Sequence, residues 1–119
     1  MTTDIVGPDD IILELRRINS ESAKGISILA EAEKKAIELH LLAETTEAKA
    51  LLSSDGNIPE RQAISKIASE EERLAAELAK AEVSRIKTKL RHLQDQQSNL
   101  QTQARMVELT WRTSGIGER

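Results

Sequence analysis

IKTKLRHLQDQQSNLQTQARMVELTW, residues 86–111, decides the fold of this chain. Apolar residues, interrupted by one glutamine, recur in it at alternating steps of four and three, which makes a heptad seam held for more than three repeats. The seam consists of Ile86, Leu90, Leu93, Gln97, Leu100, Ala104, Val107 and Trp111. The spacing predicts a long helix that packs against another helix along this whole face.

The seam changes upstream of residue 86. Ile67, Leu74, Leu78 and Ala81 follow a similar spacing about one residue out of phase. A phase shift of this kind predicts that the seam drifts around the helix or that the helix bends, with a break near residues 82–86. Gln97, the polar seam position, is typical of residues that fix helix register or oligomer number.

The composition predicts helices throughout. The 119 residues include one aromatic side chain, two prolines and five glycines, and they are rich in Ala, Glu, Leu, Lys, Gln and Arg. The absence of cysteine excludes disulfides and thiolate metal sites. No stretch approaches a membrane span and the first residues lack a secretory pattern, so we expect no membrane partner and a cytoplasmic location, in the host cytoplasm if a phage encodes the protein.

The breakers along the chain predict a helical hairpin. We expect a flexible start at residues 1–8, a single helical domain over residues 9–114 and a flexible tail at residues 115–119. Within the domain, arm one covers about 9–53, a turn covers 53–59 and arm two covers about 59–114. Gly56, Asn57 and Pro59 define the turn, and Gly25 is a weak point in arm one.

Arm one has two apolar faces. On a helical wheel, one side holds Ile11, Leu15, Ile18, Ile26, Leu29 and Ile37, and the roughly opposite side holds Leu13, Ile28, Leu39 and Leu42. A single hairpin partner covers one face, so the second face predicts a homo-oligomer. The expected fold is therefore all-α, a long antiparallel hairpin with coiled-coil packing that assembles into a helical oligomer, with the heptad seam residues at the oligomer interface.

Basic residues concentrate in the carboxyl-terminal part of the chain. Residues 1–57 hold 11 acidic and 6 basic side chains, whereas residues 80–119 hold 4 and 8. Lys80, Lys87, Arg91, Arg105 and Arg112 form a stripe beside the seam, and Arg85 and Lys89 lie on its other side. Such a line suits a phosphate backbone, and it also suits salt bridges to acidic residues of a protein. Both interpretations stay open.

No pattern for catalysis stands out. The chain shows no nucleophile elbow, phosphate loop or converging His and carboxylate pair, so we expect neither an enzyme nor a small-molecule substrate or cofactor. His40, Glu33 and Glu44 share a helix face, but a metal site needs further ligands, and an interface histidine is the preferred interpretation. Trp111 is the one strong stacking platform, and its seam position predicts a place in the core.

Two segments resemble the UvsY-type recombination mediators of bacteriophages. They are AEAEKKAIELHLLAETTEAKAL, residues 30–51, and AKAEVSRIKTKLRHLQDQQSNLQTQARMVELTW, residues 79–111, separated by a glycine-containing turn. The resemblance implies a ring-forming, helical, non-enzymatic protein that binds single-stranded DNA with little sequence selectivity. It also implies a recombinase or a single-strand-binding protein as partner. The alternative is a structural or adaptor coiled coil, such as a virion component, a chaperone or an inhibitor of a host protein, that binds no nucleic acid.

Overall fold

The computed structural model describes the backbone of residues 7–117 and the side chains of residues 7–113. It contains three helices: α1 (Pro8–Ser53), α2 (Ile58–Ala68) and α3 (Glu70–Gly117). Residues 7–117 contain no strand, so the predicted all-α class is confirmed.

Helix α1 begins and ends close to its predicted bounds. Pro8 occupies the first turn, where its missing N–H is not needed, and Asp9 and Asp10 place negative charge at the positive end of the helix dipole. The predicted flexible start therefore overlaps the helix at Pro8, and residues 1–6 lie outside the described part. Gly25 does not interrupt the helix.

The turn between α1 and α2 consists of residues 54–57. Gly56 has a φ of 115°, a conformation that strains any residue with a Cβ. The Oδ1 atom of Asn57 then accepts a hydrogen bond of 3.0 Å from the backbone N–H of Glu60 and caps α2. The Nη2 atom of Arg61 donates to the carbonyl oxygen of Leu51 at 2.9 Å, which ties the start of α2 to the end of α1.

The second arm is interrupted at Ser69, and the break predicted near residues 82–86 is wrong. Ser69 has φ −103° and ψ 12°, and its hydroxyl donates 2.9 Å to the carbonyl oxygen of Ser65. Arg73 spans the interruption, because its Nη2 atom donates 2.7 Å to the carbonyl oxygen of Lys66. α3 continues to Gly117, three residues past the predicted end, and residues 118 and 119 of the predicted tail lie outside the described part.

The chain divides into two compact units, which are described separately. Unit 1 contains the residues up to Ile26 and those from Thr88 onward. In it, Nε2 of Gln97 donates 3.1 Å to Oδ1 of Asn19. Gly25 faces Leu90. Residue numbers thus rise on one helix as they fall on the other, so the two helices are antiparallel.

Unit 2 contains Ser27–Lys87 and is a helical hairpin. The Arg61–Leu51 hydrogen bond marks its closed end, and Lys87 Nζ lies 4.0 Å from Glu33 Oε2 at the other end of the unit. The hairpin packing expected from the sequence is therefore present here, with α1 antiparallel to α2 and to the first part of α3.

The inward face of α1 follows a heptad pattern of mostly small residues. The least exposed positions recur at steps of four and three: Ile11, Leu15, Ile18, Ser22, Gly25, Leu29, Ala32, Ala36, Leu39, Ala43, Thr46 and Ala50. Ile26 and Ile37, predicted to share the face of Ile11 and Ile18, are instead 64% and 61% exposed. Helices that pack through Ala, Ser and Gly approach closely. Ile26 and Ile37 lie outside this contact.

The second arm shows the same arrangement. Its inward positions in α2 and the first half of α3 are Arg61, Ser65, Ser69, Glu72, Ala76, Ala79 and Val83. The predicted upstream seam does not pack against α1, since Ile67, Leu74, Leu78 and Ala81 are exposed. In unit 2 many of the residues that pack between the helices are small, while large apolar residues such as Ile67, Leu74 and Leu78 are exposed.

Candidate nucleic-acid interface

The heptad seam of α3 packs against α1 of the same chain. Ile86 and Leu93 are buried, Trp111 is exposed, and the remaining members are half-buried: Leu90, Gln97, Leu100, Ala104 and Val107. The partner helix that the spacing requires is thus supplied within the chain for all but the last seam position. The polar position Gln97 meets Asn19, as expected of a residue that fixes register.

Trp111 lies at the edge of an apolar groove and not in the core. The indole is 67% exposed. The groove encloses about 350 Å³ and is lined by Pro8, Ile11, Ile12, Leu15, Ala104, Val107, Glu108 and Trp111. The core position predicted for Trp111 is therefore wrong.

The predicted cations divide into paired and unpaired groups. Arg85 bonds Glu82 and Arg112 bonds Glu108, each at 2.5 Å, and Lys87 lies 4.0 Å from Glu33. No described residue forms an ion pair with the other four cations, which are Lys80, Lys89, Arg91 and Arg105.

Arg16 joins the cations of unit 1, although the sequence analysis did not select it. It lies between Ile12, which lines the Trp111 groove with Glu108, and Asn19, which bonds Gln97. These contacts place Arg16 on the side of unit 1 that carries the α3 arginines on either side of Glu108. We call this side the basic flank: Arg16, Arg91, Arg105 and Arg112. The signal available in the sequence was its position four residues after Ile12 and three before Asn19.

Acidic residues only partly neutralise the basic flank. On the flank side of the helices, Asp9, Asp95 and Glu108 lie within two turns of these arginines. Asp10, Glu14 and Glu21 are as close to Arg16 in sequence, but helical periodicity places them on the other side of α1. In the described part of the chain, Glu108 is the one of the three flank-side acids that forms an ion pair with a flank arginine. Arg16, Arg91 and Arg105 therefore present uncompensated guanidinium groups to solvent.

The other side of α1 in unit 1 is neutralised by its own ion pairs. Arg17 donates to Glu14 at 2.9 Å and to Glu21 at 2.8 Å. The hydrogen bond from Arg17 lowers the pKa of Glu14, and the bonds to Glu14 and Glu21 raise the pKa of Arg17. These groups are solvated, so their contribution to the free energy of unfolding is small. The effect is that free positive charge in unit 1 lies chiefly on the basic flank.

Unit 2 carries an apolar surface on the side of α3 that bears Glu82. A groove of about 460 Å³ is lined there by Ala32, Lys35, Leu39, Ala75, Leu78, Ala79 and Glu82. Leu42 follows Lys35 by seven residues, Ile28 precedes it by seven, and Leu74 precedes Leu78 by four, so helical periodicity places them on the same side. We call this surface the apolar flank: Ile28, Leu39, Leu42, Leu74 and Leu78.

The remaining candidates form no site. His40 Nε2 lies 3.0 Å from Glu44 Oε1, and the described residues contain no group of three potential metal ligands. Glu72 is half-buried, and its Oε2 atom is buried without a hydrogen-bond partner among the described residues. Within the described residues, none of the helices combines the length and the apolar character that a membrane span requires.

Comparison of the chain with protein-family models, curated proteins and solved structures finds no match. The basic flank and the apolar flank are therefore the features that bear on the function.

Proposed function

We propose that this protein is an oligomeric, non-enzymatic helical accessory protein of phage-type DNA recombination that binds single-stranded DNA through the basic flank. The observation that supports it is the set of arginines on one side of unit 1, of which Arg16, Arg91 and Arg105 form no ion pair with a described residue. In this proposal the protein acts in the host cytoplasm and helps to load a recombinase, with the recombinase or a single-strand-binding protein as partner.

The chemistry of the flank favours the phosphate backbone over the bases as its target. Guanidinium groups bind phosphates in a bidentate manner, and each contact releases condensed counterions. The neutral residues between the arginines of α3 include Gln94, Ser98 and Gln101, which are short or flexible hydrogen-bonding groups. Binding of this kind carries little sequence information, so weak selectivity and strong salt dependence are expected.

Fluorescence anisotropy with a labelled single-stranded oligonucleotide tests the proposal. Four flank arginines predict a slope of roughly −3 for the logarithm of affinity against the logarithm of salt concentration, at about 0.7 per phosphate contact. Arg91→Glu combined with Arg105→Glu should abolish binding at moderate salt. Both side chains are exposed, so the helical content should stay unchanged.

The matched control is Lys24→Glu combined with Lys34→Glu, which makes the same change in net charge away from the basic flank. Lys24 follows Arg17 by seven residues on the neutralised side of α1, and Lys34 lies on α1 in unit 2. The control should retain most of the affinity. No binding by the wild-type protein at low salt, or equal losses in both double variants, would remove the proposal.

A structural or adaptor coiled coil is the second candidate function. The observation that favours it is the number of large apolar side chains that unit 2 exposes, including Leu52 at 80% and Ile67 at 73%. An adaptor would bury these residues against a partner protein, such as a virion component or a host target, and its cations would pair with acidic side chains. It predicts no change in anisotropy with DNA at any salt concentration.

A further inference from the structure

Unit 2 buries several small side chains while it exposes several large ones. Ala43, Ser65 and Ser69 are at most 4% exposed, whereas Leu74 and Leu78 are 60% and 63% exposed. Apolar burial stabilises in proportion to area, so an Ala and Ser contact supplies little of the stabilisation that the leucines would supply if they were covered. The unit therefore lacks a cover for its apolar flank.

The apolar flank is exposed on both helices of unit 2. Ile28 and Leu42 on α1 are 56% and 51% exposed, and Leu74 and Leu78 on α3 are 60% and 63% exposed. Apolar side chains exposed side by side in this way are typical of a protein–protein contact surface.

We propose that the apolar flank of unit 2 is the contact surface for a second copy of this chain, packed around a two-fold axis parallel to the helices. In this arrangement α1 of one subunit packs on α3 of the other, and the two hairpins form a four-helix bundle. This inference deepens the oligomeric part of the proposed function, and it does not depend on the binding of DNA.

The charges at the groove select this axis. Lys35 and Glu82 line the same groove on opposite helices, so they lie at the same level of the hairpin. Glu82 also accepts hydrogen bonds from Arg85 of its own chain, so Lys35 of a second copy would join an existing ion pair. A two-fold axis parallel to the helices preserves that level and brings Lys35 against Glu82 of the partner subunit. An axis that crosses the groove at right angles to the helices at the level of Lys35 would instead bring Lys35 against Lys35 of the partner subunit, which is repulsive. The flank is therefore self-complementary in one orientation.

The apolar residues match in the same orientation. Leu39 lines the groove with Ala75 and Leu78, and Leu42 lies one turn further along α1. At that level, the parallel axis places Leu42 against Leu74 and Leu78 of the partner subunit, twice per dimer. Each helix then has antiparallel neighbours, as in a four-helix bundle with short connections.

Light scattering after size-exclusion chromatography measures the mass. We expect an even number of chains, two in the simplest case, for the wild-type protein. Leu42→Lys combined with Leu78→Lys should give the mass of a single chain, because two ammonium groups would be buried in the contact. The matched control is Ile37→Lys with Leu41→Lys, which alters residues that are 61% and 55% exposed and do not line the groove.

The control should retain the wild-type mass. A single-chain mass for the wild-type protein, an odd-numbered assembly, or a double variant with the wild-type mass would overturn the inference. In the first case the flank would instead be the site of a different protein.

Cysteine crosslinking tests the orientation. Because the chain has no native cysteine, disulfides can form only at the introduced positions. Leu42→Cys and Leu78→Cys are prepared as separate proteins, mixed, unfolded and refolded together, and oxidised with glutathione disulfide. The inference predicts crosslinks between Leu42→Cys and Leu78→Cys chains and few within either population alone. Efficient crosslinking of Leu42→Cys to itself, or none in the mixture, would overturn the proposed axis.

The two proposals fail separately. A dimer with the predicted crosslinks that shows no anisotropy change with DNA supports the inference and removes the DNA-binding function. A monomer that binds DNA with the predicted salt dependence does the reverse.

Discussion

At the residue scale, Gly25 illustrates how a residue without a side chain allows two helices to approach closely. It lies on the inward face of α1, where a Cβ atom would collide with Cδ2 of Leu90. A glycine inside a helix costs about 1 kcal/mol relative to alanine. In unit 1 that cost is offset by the close approach of α1 and α3, so Gly25 is a packing position and not an interruption.

Gly25→Val should therefore lower the free energy of unfolding by about 1–3 kcal/mol, because the added methyl groups overpack the contact with Leu90. Urea denaturation followed by circular dichroism measures the loss. Valine is a better helix former than glycine, so helix propensity alone would favour Gly25→Val. Ala23→Val, at an exposed position of the same helix, is the control for a valine that meets no second helix. Leu90→Ala should restore part of the stability when combined with Gly25→Val. Equal stability of the two valine variants would contradict close packing at Gly25.

Trp111 is an intrinsic fluorescence probe for the binding of DNA. It is the only aromatic residue of the chain, so its fluorescence reports on one place. We expect single-stranded DNA to quench this emission at low salt, because Arg112 follows Trp111 directly and bases stack on exposed indole rings. Added salt should restore the emission. If anisotropy shows binding while the emission stays constant, DNA binds away from the Trp111 groove.

At the element scale, the sequence predicted the seam of α3 downstream of residue 86. It also predicted four inward residues of α1, which are Ile11, Leu15, Ile18 and Leu29, and it missed most of the inward residues elsewhere. Downstream, the inward residues include Leu90, Leu93 and Leu100, which a hydrophobic pattern detects. Over residues 32–83 the inward residues are mostly Ala and Ser, which carry little hydrophobic signal. The large residues there, such as Ile37 and Leu74, face outward, because nothing within unit 2 covers them.

The basic flank could likewise be predicted only in part from the sequence. Arg91 and Arg105 follow from their spacing along one helix, and both are free of ion pairs with described residues. Arg16 was missed because its closeness to them depends on how α1 packs against α3. The spacing of charges within one helix predicts a stripe on that helix. The residues that a second helix adds to the same flank can be predicted only when the register between the two helices is known.

Substitution of a small inward residue tests whether the helices of unit 2 pack closely through small side chains. Ala43 is 4% exposed, and Ala43→Leu should destabilise the protein by about 1–3 kcal/mol because the helices of unit 2 would have to separate. Ala48→Leu, at an exposed position of the same helix, should change the stability by less than about 0.5 kcal/mol. Thermal denaturation of the two variants checks the difference. A more stable Ala43→Leu variant would show that the contact tolerates large residues.

At the scale of the whole molecule, the two units differ in what they expose. Unit 1 exposes the basic flank beside the Trp111 groove, and unit 2 exposes the apolar flank. A protein with this division can associate through one unit and bind a polyanion through the other. Association would add stability to unit 2, whose own interface is rich in alanine and serine.

The melting temperature should therefore depend on protein concentration. For a dimer that unfolds to two separate chains, each tenfold rise in concentration stabilises the folded state by about 1.4 kcal/mol per dimer, which raises the midpoint by a few degrees. Differential scanning calorimetry over a hundredfold range of concentration measures the shift. Leu42→Lys combined with Leu78→Lys should melt at a lower temperature that is independent of concentration, while Ile37→Lys with Leu41→Lys should keep the concentration dependence. A wild-type midpoint that stays constant over the range would mean that folding and association are not coupled, and that the alanine and serine contacts suffice for a single chain.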